Sequence, residues 1–341
     1  MSLPPVEIPL GAMRFNSDSQ KLEYFNGDVW MQVHTFTPDL DGGTGGRAIH
    51  GAGYTPSGVD DEMDYHNIAS QGNAVAFGNA TANVEHRKGT AANTTRGIFA
   101  GGNAPNQTDA IDYVTISHTG NASDFGNLTS VRNTIAGCGN AIRGIFCGGH
   151  DSNSGSPYNS NIINYINIST TGNAVDFGDT VNQARDRGGV SVPTLGYIYG
   201  GVTSSGNKNT IEKITIQTLG NAVDSGFDVS AGADNSGCSA SQASSGRCLI
   251  AGKGSSPFPI EQFNAYNMSN SYGFGDLSAD GQSEGGSPCS SIRGLFTVCG
   301  SYTNIVEFVT ISTLGNAVDF GDLTKARSAF SSLSNAHGGL R

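Results

Sequence analysis

The side chains best suited to catalysis or metal binding in this sequence are seven histidines and six cysteines. The histidines are His34, His50, His66, His86, His118, His150 and His337, and no two stand at the spacing that puts two imidazoles on one metal ion. His50 and His150 end two short apolar runs and are expected near a common channel. Without an assigned carboxylate partner they make a poor catalytic pair, so structural or surface roles are expected. The cysteines fall as three close pairs, Cys138 with Cys147, Cys238 with Cys248, and Cys289 with Cys299. These spacings are not those of a zinc site. Small buried thiols on neighbouring strands are expected, with disulfides formed outside a cell as the alternative.

Gly281-Gln282-Ser283-Glu284-Gly285 has the Gly-x-Ser-x-Gly spacing but runs on into Gly286-Ser287-Pro288 with no helix-forming stretch, so no nucleophile elbow is expected, and no phosphate loop occurs. Gly42-Gly43-Thr44-Gly45-Gly46 has no following Lys and helix, and reads as a linker. An aspartate recurs as Asp124, Asp176 and Asp319. Calcium binding would use such carboxylates, but a catalytic or ligating residue is needed once and a packing residue in every repeat. These aspartates are therefore expected to accept turn hydrogen bonds, with no catalytic residue, cofactor or metal.

Such residues must be positioned by short strands. Glycine supplies 49 of 341 residues and only 14% are charged, which suits tight turns and disfavours long helices. A net charge of -11 argues against binding nucleic acid, which needs a basic face, and against docking on anionic membranes. No apolar run approaches the ~18 residues of a membrane helix. The N-terminus lacks a basic region followed by an apolar one, so synthesis in a cytosol without a secretory signal is expected.

One phrase recurs with a period of about 50 residues, in the range of propeller blades. It reads Gly72-Asn73-Ala74-Val75-Ala76-Phe77-Gly78-Asn79 and returns around Phe125, Phe177 and Phe320. The copy at Gly220 has lost its Phe, and the copy at Asn270 is the most degenerate. Each unit has four strand-like parts: a small polar run near an Arg (Val131 to Cys138), an apolar run closing on Gly-Gly (Arg96 to Gly102), an alternating β-branched run (Ile111 to Ser117), and the phrase itself. Phe77, Phe125, Phe177 and Phe320 are expected to pack between repeats. The first unit starts at its second strand, Arg47 to Gly53. The run from Lys325 to Ser332 is expected to supply the missing first strand and so close a six-repeat ring.

This order resembles the kelch family. Arg185, Gly200-Gly201, Ile211-Glu212-Lys213 and Val223-Asp224 carry the resemblance, which spans residues 46 to 335, although kelch usually has Trp where this chain has Phe. The resemblance implies an all-β, six-bladed, kelch-like β-propeller over residues 46–341. Kelch-like propellers include copper oxidases, whose Tyr, Cys and His ligand constellation has no match here.

Residues 1–45 read as a small three-strand meander with a Gly-rich linker. Its Asn26-Gly27 is a strong hairpin signal, and so small a sheet needs a partner surface. Arg14, Phe15, Asn16, Leu22, Glu23, Asn26, Gly27, Trp30 and Val33 resemble a short segment of bacteriophage tail-fibre and other phage structural proteins. That resemblance implies a virion protein made in the host cytoplasm: a tail fibre, appendage or capsid ornament, homo-oligomeric within its assembly. Arg14, Phe15, Tyr24 and Trp30 would attach it to other virion proteins. The propeller would then serve host adhesion, through a surface glycan or protein, or particle stability. The rivals are a free lectin-like propeller binding surface polysaccharide and, less favoured, an enzyme.

Overall fold

The computed structural model describes residues 8–16, 21–32, 46–155, 158–230, 239–242, 245–251, 258–267, 269–278, 288–297 and 302–340. Val33, His34, Gly42, Gly43, Gly45, Cys238 and Cys299 lie outside them. The described residues are all-β, with one short 3-10 turn at Gly338–Leu340. Two compact units divide between Leu40 and Asp41.

The N-terminal unit is a three-stranded antiparallel meander of Met13–Asn16, Lys21–Phe25 and Trp30–Gln32. Its second turn is set by Asn26, whose Oδ1 accepts the N–H groups of Asp28 and Val29, and by Gly27 at φ 100°.

Among the described residues the second unit holds six antiparallel sheets of three or four strands, numbered in chain order, and two two-stranded ribbons, Tyr54–Thr55 with Gly58–Val59 and Val202–Thr203 with Gly206–Asn207. Sheet two is typical, running Gly89–Ala92, Arg96–Ala100, Ala110–Thr115, Ser123–Asn127 in space as in sequence. Sheets three, four and five repeat that order from Ala136, Gly188 and Ser239. Sheet six has three strands, Arg293–Thr297, Thr303–Thr310 and Val318–Arg327, with Cys289 bridged to Gly294. Sheet one joins distant segments, since Ser332–Ser334 pairs with Arg47–His50, followed by Glu62–Asn67 and Val75–Asn79. The C-terminal segment therefore does complete sheet one, but later than expected. Lys325 to Arg327 instead prolong the last strand of sheet six.

The first strands also begin later than the sequence suggests, at Ala136 rather than Val131 in sheet three. The approach to them is not extended. His86, Thr134, Asp186 and Ala329 occupy equivalent positions with φ of 53, 50, 54 and 52°. This left-handed kink turns the chain into the strand.

Two sets of hydrogen bonds link each sheet to the next and sheet six back to sheet one. In the first, the phrase acts as a clasp. The Asn121, Asn173, Asn221, Asn270, Asn316 and Asn73 side chains accept the N–H of Asn79, Asn127, Asp179, Asp228, Asp276 and Asp322 on the outer strand of the preceding sheet. Outer strand edges are thus capped rather than left open. The Gly120 carbonyl lies so close to Gly78 that a Cβ at Gly78 would overlap it, which explains the glycine after the phrase's Phe.

In the second set, Arg47, Arg96, Arg143, Arg247 and Arg293 donate to the carbonyls of Ile116, Ile168, Ile216, Ile311 and Ile68 at 2.9, 3.2, 3.0, 2.7 and 3.0 Å. Four of these guanidinium groups also lie over the ring of Tyr65, Tyr113, Tyr165 or Phe308 at 4.3–4.9 Å. Sheet four has Leu195 in place of the arginine. There the Tyr197 hydroxyl donates to the equivalent Ala265 carbonyl at 2.5 Å.

Phe77, Phe125, Phe177 and Phe320 are buried in clusters that combine residues of two successive sheets, such as Phe125 with Ile98 and Ile111 on one side and Ile166 and Ile168 on the other. The fourth copy is not without a phenylalanine. A one-residue insertion moves it to Phe227, which packs on Tyr197 and Phe263. Asp124, Asp176 and Asp319 are exposed, and the described hydrogen bonds include none from a turn to them. Only Asp224 accepts such a bond, from Gly226 N–H.

Candidate functional site

Alternation in the meander sorts its side chains onto two faces. Arg14 pairs with Glu23 across the strands, and its guanidinium bonds Glu23 at 2.9 Å while lying 4.2 Å over the Trp30 ring. Glu23 also accepts from Asn16 at 3.0 Å, and hydrogen bonds from Asn16 and Arg14 hold its carboxyl below the usual range. Phe25 lies on the same face, its ring centroid 5.5 Å from that of Trp30. The other face carries Met13, Phe15, Leu22, Tyr24 and Met31, with relative exposures of 63, 67, 39, 40 and 42%. The structure thus divides the four attachment residues. Phe15 and Tyr24 lie on the exposed apolar face, whereas Arg14 and Trp30 stack with each other on the reverse. Met13, Leu22 and Met31 complete the apolar face, and the alternation of their strands was the signal for them.

In the second unit the connections between second and third strands share one end of the sheets with the connections leading into first strands. Four arginines are buried beneath that end. Arg87, Arg187 and Arg327 pair with Asp112, Glu212 and Asp64 at 2.5, 2.8 and 2.8 Å, and Arg132 donates to Asn164 Oδ1 at 2.5 Å. The sequence suggests Arg185 as the leading arginine of the fourth unit, but Arg187 takes that place. Arg185 is partly exposed and contacts Asp186. Arg132 and Arg327 precede the left-handed kink, whereas Arg87 and Arg187 follow it. The vacated positions hold Ile135 and Phe330, or Val84 and Ala184. In sheets five and six the corresponding Glu261 and Glu307 accept from Ser230 and Ser278. These charges are spent on holding the connections, and paired burial is the condition under which they persist.

The histidines expected near a common channel are not brought together. His50 is buried, with Nδ1 2.8 Å from Ser332 Oγ and Nε2 2.9 Å from His66 Nδ1. Burial, then the neighbouring His66 and Arg327, push the His50 pKa well down; burial brings that of His66 to about 4. His150 instead lies on the loop of sheet three. Gln107 Nε2 donates to its Nδ1 at 2.6 Å and to its carbonyl at 3.0 Å, while Gln107 Oε1 accepts the Ser152 N–H at 2.7 Å. Burial and then the nearby Arg185 lower the His150 pKa, so the ring is neutral at pH 7, with its proton on Nε2. The exposed Tyr158 ring lies 5.9 Å from it. At the same end Tyr54 and Tyr302, exposed on sheets one and six, stack at 5.8 Å.

The opposite end is occupied by the C-terminal turn. His337 Nε2 bonds the Ala92 carbonyl at 2.9 Å. Gly338 and Gly339 are buried so closely against Ser241, Gly139 and Ser191 that a Cβ on either would overlap them. Four first strands, from sheets two to five, thus meet one turn that the sequence did not signal.

Cys138, Cys147, Cys248 and Cys289 are buried free thiols, the first two on neighbouring strands. Burial raises the pKa of Cys147, Cys248 and Cys289, with Cys138 as a further cause at Cys147. Such thiols are poor nucleophiles. Among the described residues no group of three or more His, Cys, Asp or Glu is placed to hold a metal ion. No model of a known protein family and no curated protein matches the chain.

Proposed function

We propose that the six sheets are the blades of a closed, kelch-like propeller, and that the chain is a non-catalytic structural protein of a bacteriophage particle. In this reading the meander anchors the chain to other virion proteins, and the propeller serves host adhesion or particle stability. The closure rests on the two sets of links that return from sheet six to sheet one.

The observation that carries the anchoring is the apolar face of Met13, Phe15, Leu22, Tyr24 and Met31. Five exposed apolar side chains on a three-stranded sheet are unfavourable in water, and a sheet of this size gains stability from a partner surface. The opposite face is already satisfied by the Arg14, Glu23 and Trp30 contacts, so the partner meets the apolar side.

Mass spectrometry of purified particles of the encoding phage tests this, together with particles assembled from a Phe15→Asp, Tyr24→Asp chain. Wild-type chain in the particles and exclusion of the variant support the reading. Absence of the wild-type chain overturns it and favours a free lectin-like propeller, which the exposed tyrosines on the loop-bearing end suit.

A further inference from the structure

We propose that the loop-bearing end binds a neutral hexose oligosaccharide at Tyr158 and His150, a ligand that deepens the host-adhesion reading above and rests on it. In the connection from Gly148 to Asn161, the described residues 158–161 present an aromatic ring. Tyr158 has φ 61°, in the left-handed region that disfavours a bulky side chain. It is held there by its N–H to the Gly155 carbonyl at 2.6 Å and by the Asp151 N–H to its own carbonyl at 2.7 Å. An observed strain of this kind, at an exposed position, marks a place where presentation outweighs local stability. The ring is 45% exposed, which leaves a flat apolar surface of the size of a pyranose.

Beside that surface the polar groups are fixed and neutral. Gln107 is oriented by the Ser152 N–H and locks His150, leaving Nε2–H as a donor. Asn159 is buried, with Nδ2 donating to the Val202 carbonyl at 3.2 Å and Oδ1 lacking any partner. An unmet buried acceptor is unusual in a finished loop, and a bridging water would satisfy it. Sugar hydroxyls both donate and accept, so they match the His150 Nε2–H donor beside the ring.

Charge selects among ligands. Of the charges that act on His150, Asp186 contacts Arg185 at 3.3 Å and Lys88 at 3.7 Å, and the buried Asp151 accepts the Asn153 N–H at 2.8 Å, so cations and carboxylates both border the ring. The chain carries a net charge of -11, which disfavours a polyanion. A protein partner would call for a broader apolar centre than one ring offers.

The test measures binding of the full chain to immobilised manno-, galacto- and gluco-hexaoses, with polygalacturonate as the anionic comparison. The discriminating variant is Tyr158→Gly, because glycine adopts φ 61° without strain and loss of binding then reports the ring and not unfolding. Binding to at least one neutral series is expected, weakened roughly tenfold or more in Tyr158→Gly and unchanged in Tyr54→Ala. Binding that survives Tyr158→Gly, binding to polygalacturonate alone, or no binding to any neutral series overturns the proposal. Particle incorporation of the wild-type and Tyr158→Gly chains is read separately. Incorporation without glycan binding overturns the ligand and leaves the anchoring, and glycan binding without incorporation does the reverse.

Discussion

The Arg293 guanidinium donates to the Ile68 carbonyl at 3.0 Å, across 225 residues of sequence. It repeats between sheets six and one the bond that Arg47, Arg96, Arg143 and Arg247 make between consecutive sheets. The link from sheet six to sheet one is therefore built from the same part as the links between consecutive sheets.

Arg293→Ala is expected to destabilise the unit by about 1–3 kcal/mol, because it removes a charge-assisted bond, a second bond to Ala69 and the contact with Phe308. Arg143→Ala, inside the repeat, is expected to cost a similar amount. Urea unfolding of both variants checks this. A much smaller loss for Arg293→Ala would mean that the closing bond is dispensable.

Asn164→Asp is expected to stabilise the protein by roughly 1–2 kcal/mol. Arg132 is the one buried arginine of the four whose partner is an amide. Burial lowers its pKa to about 10, and Asn164 Nδ2 is a buried donor without an acceptor. An aspartate removes the orphan donor and pairs the charge, as Asp112 and Asp64 do in sheets two and one. A rise in Tm at pH 7 is the expected readout; a fall would show that the two carboxylate oxygens cannot be accommodated.

Gly339→Val is expected to displace the C-terminal turn, since its Cβ would overlap the Gly139 carbonyl. The readout is hydrogen exchange. Amides near Ala92, Gly139, Ser191 and Ser241 should exchange faster, while those near Tyr158, at the other end, should be unaffected. Uniform protection across both ends would argue against the plug.

Acid should destabilise the unit well above the range in which carboxylates titrate. The unfolded chain protonates its histidines near pH 6.5, whereas folded His66 does so near 4, and burial and the neighbouring His66 and Arg327 hold His50 well below its ordinary value too. Between those values the unfolded state holds more protons, so stability falls as pH falls and levels off below about 4. For His66 alone the loss is on the order of 3 kcal/mol. His337, lowered by burial, acts in the same direction. Unfolding free energies at pH 7.5, 6 and 5 measure the slope, and a flat profile would contradict the buried neutral pair.

The all-β class and the strand order of each repeat were readable because both follow from local pattern: period-two alternation, glycine turns and a recurring phrase. The reason for the phrase was less readable. Asn73 and its counterparts look like turn residues in the sequence, and only the structure reveals that each reaches the preceding sheet. The arginine substitution pattern was hidden for a different reason. Arg132 and Arg87 stand on opposite sides of a kink, so aligning units by sequence does not equate them, although both guanidinium groups reach the third strand. The division of the meander residues follows from alternation, which sets Phe15 and Tyr24 with Met13 and Leu22 on one face and Arg14 and Trp30 on the other, whereas the motif that singles out Arg14, Phe15, Tyr24 and Trp30 carries no face information. The His50–His66 pair joins two strands 16 residues apart, a spacing with no motif attached to it.

Ser332 and His50, bonded in sheet one, are separated by 282 residues. During synthesis the Arg47–His50 strand leaves the ribosome with one edge unpaired, and it stays so until Ser332–Ser334 has emerged. At translation rates of about 5–20 residues per second that interval lasts tens of seconds. The other sheets complete themselves as they appear, but sheet one folds last although it is made first. Its waiting edge is where a nascent chain would meet a chaperone or, at high expression, a second copy of itself.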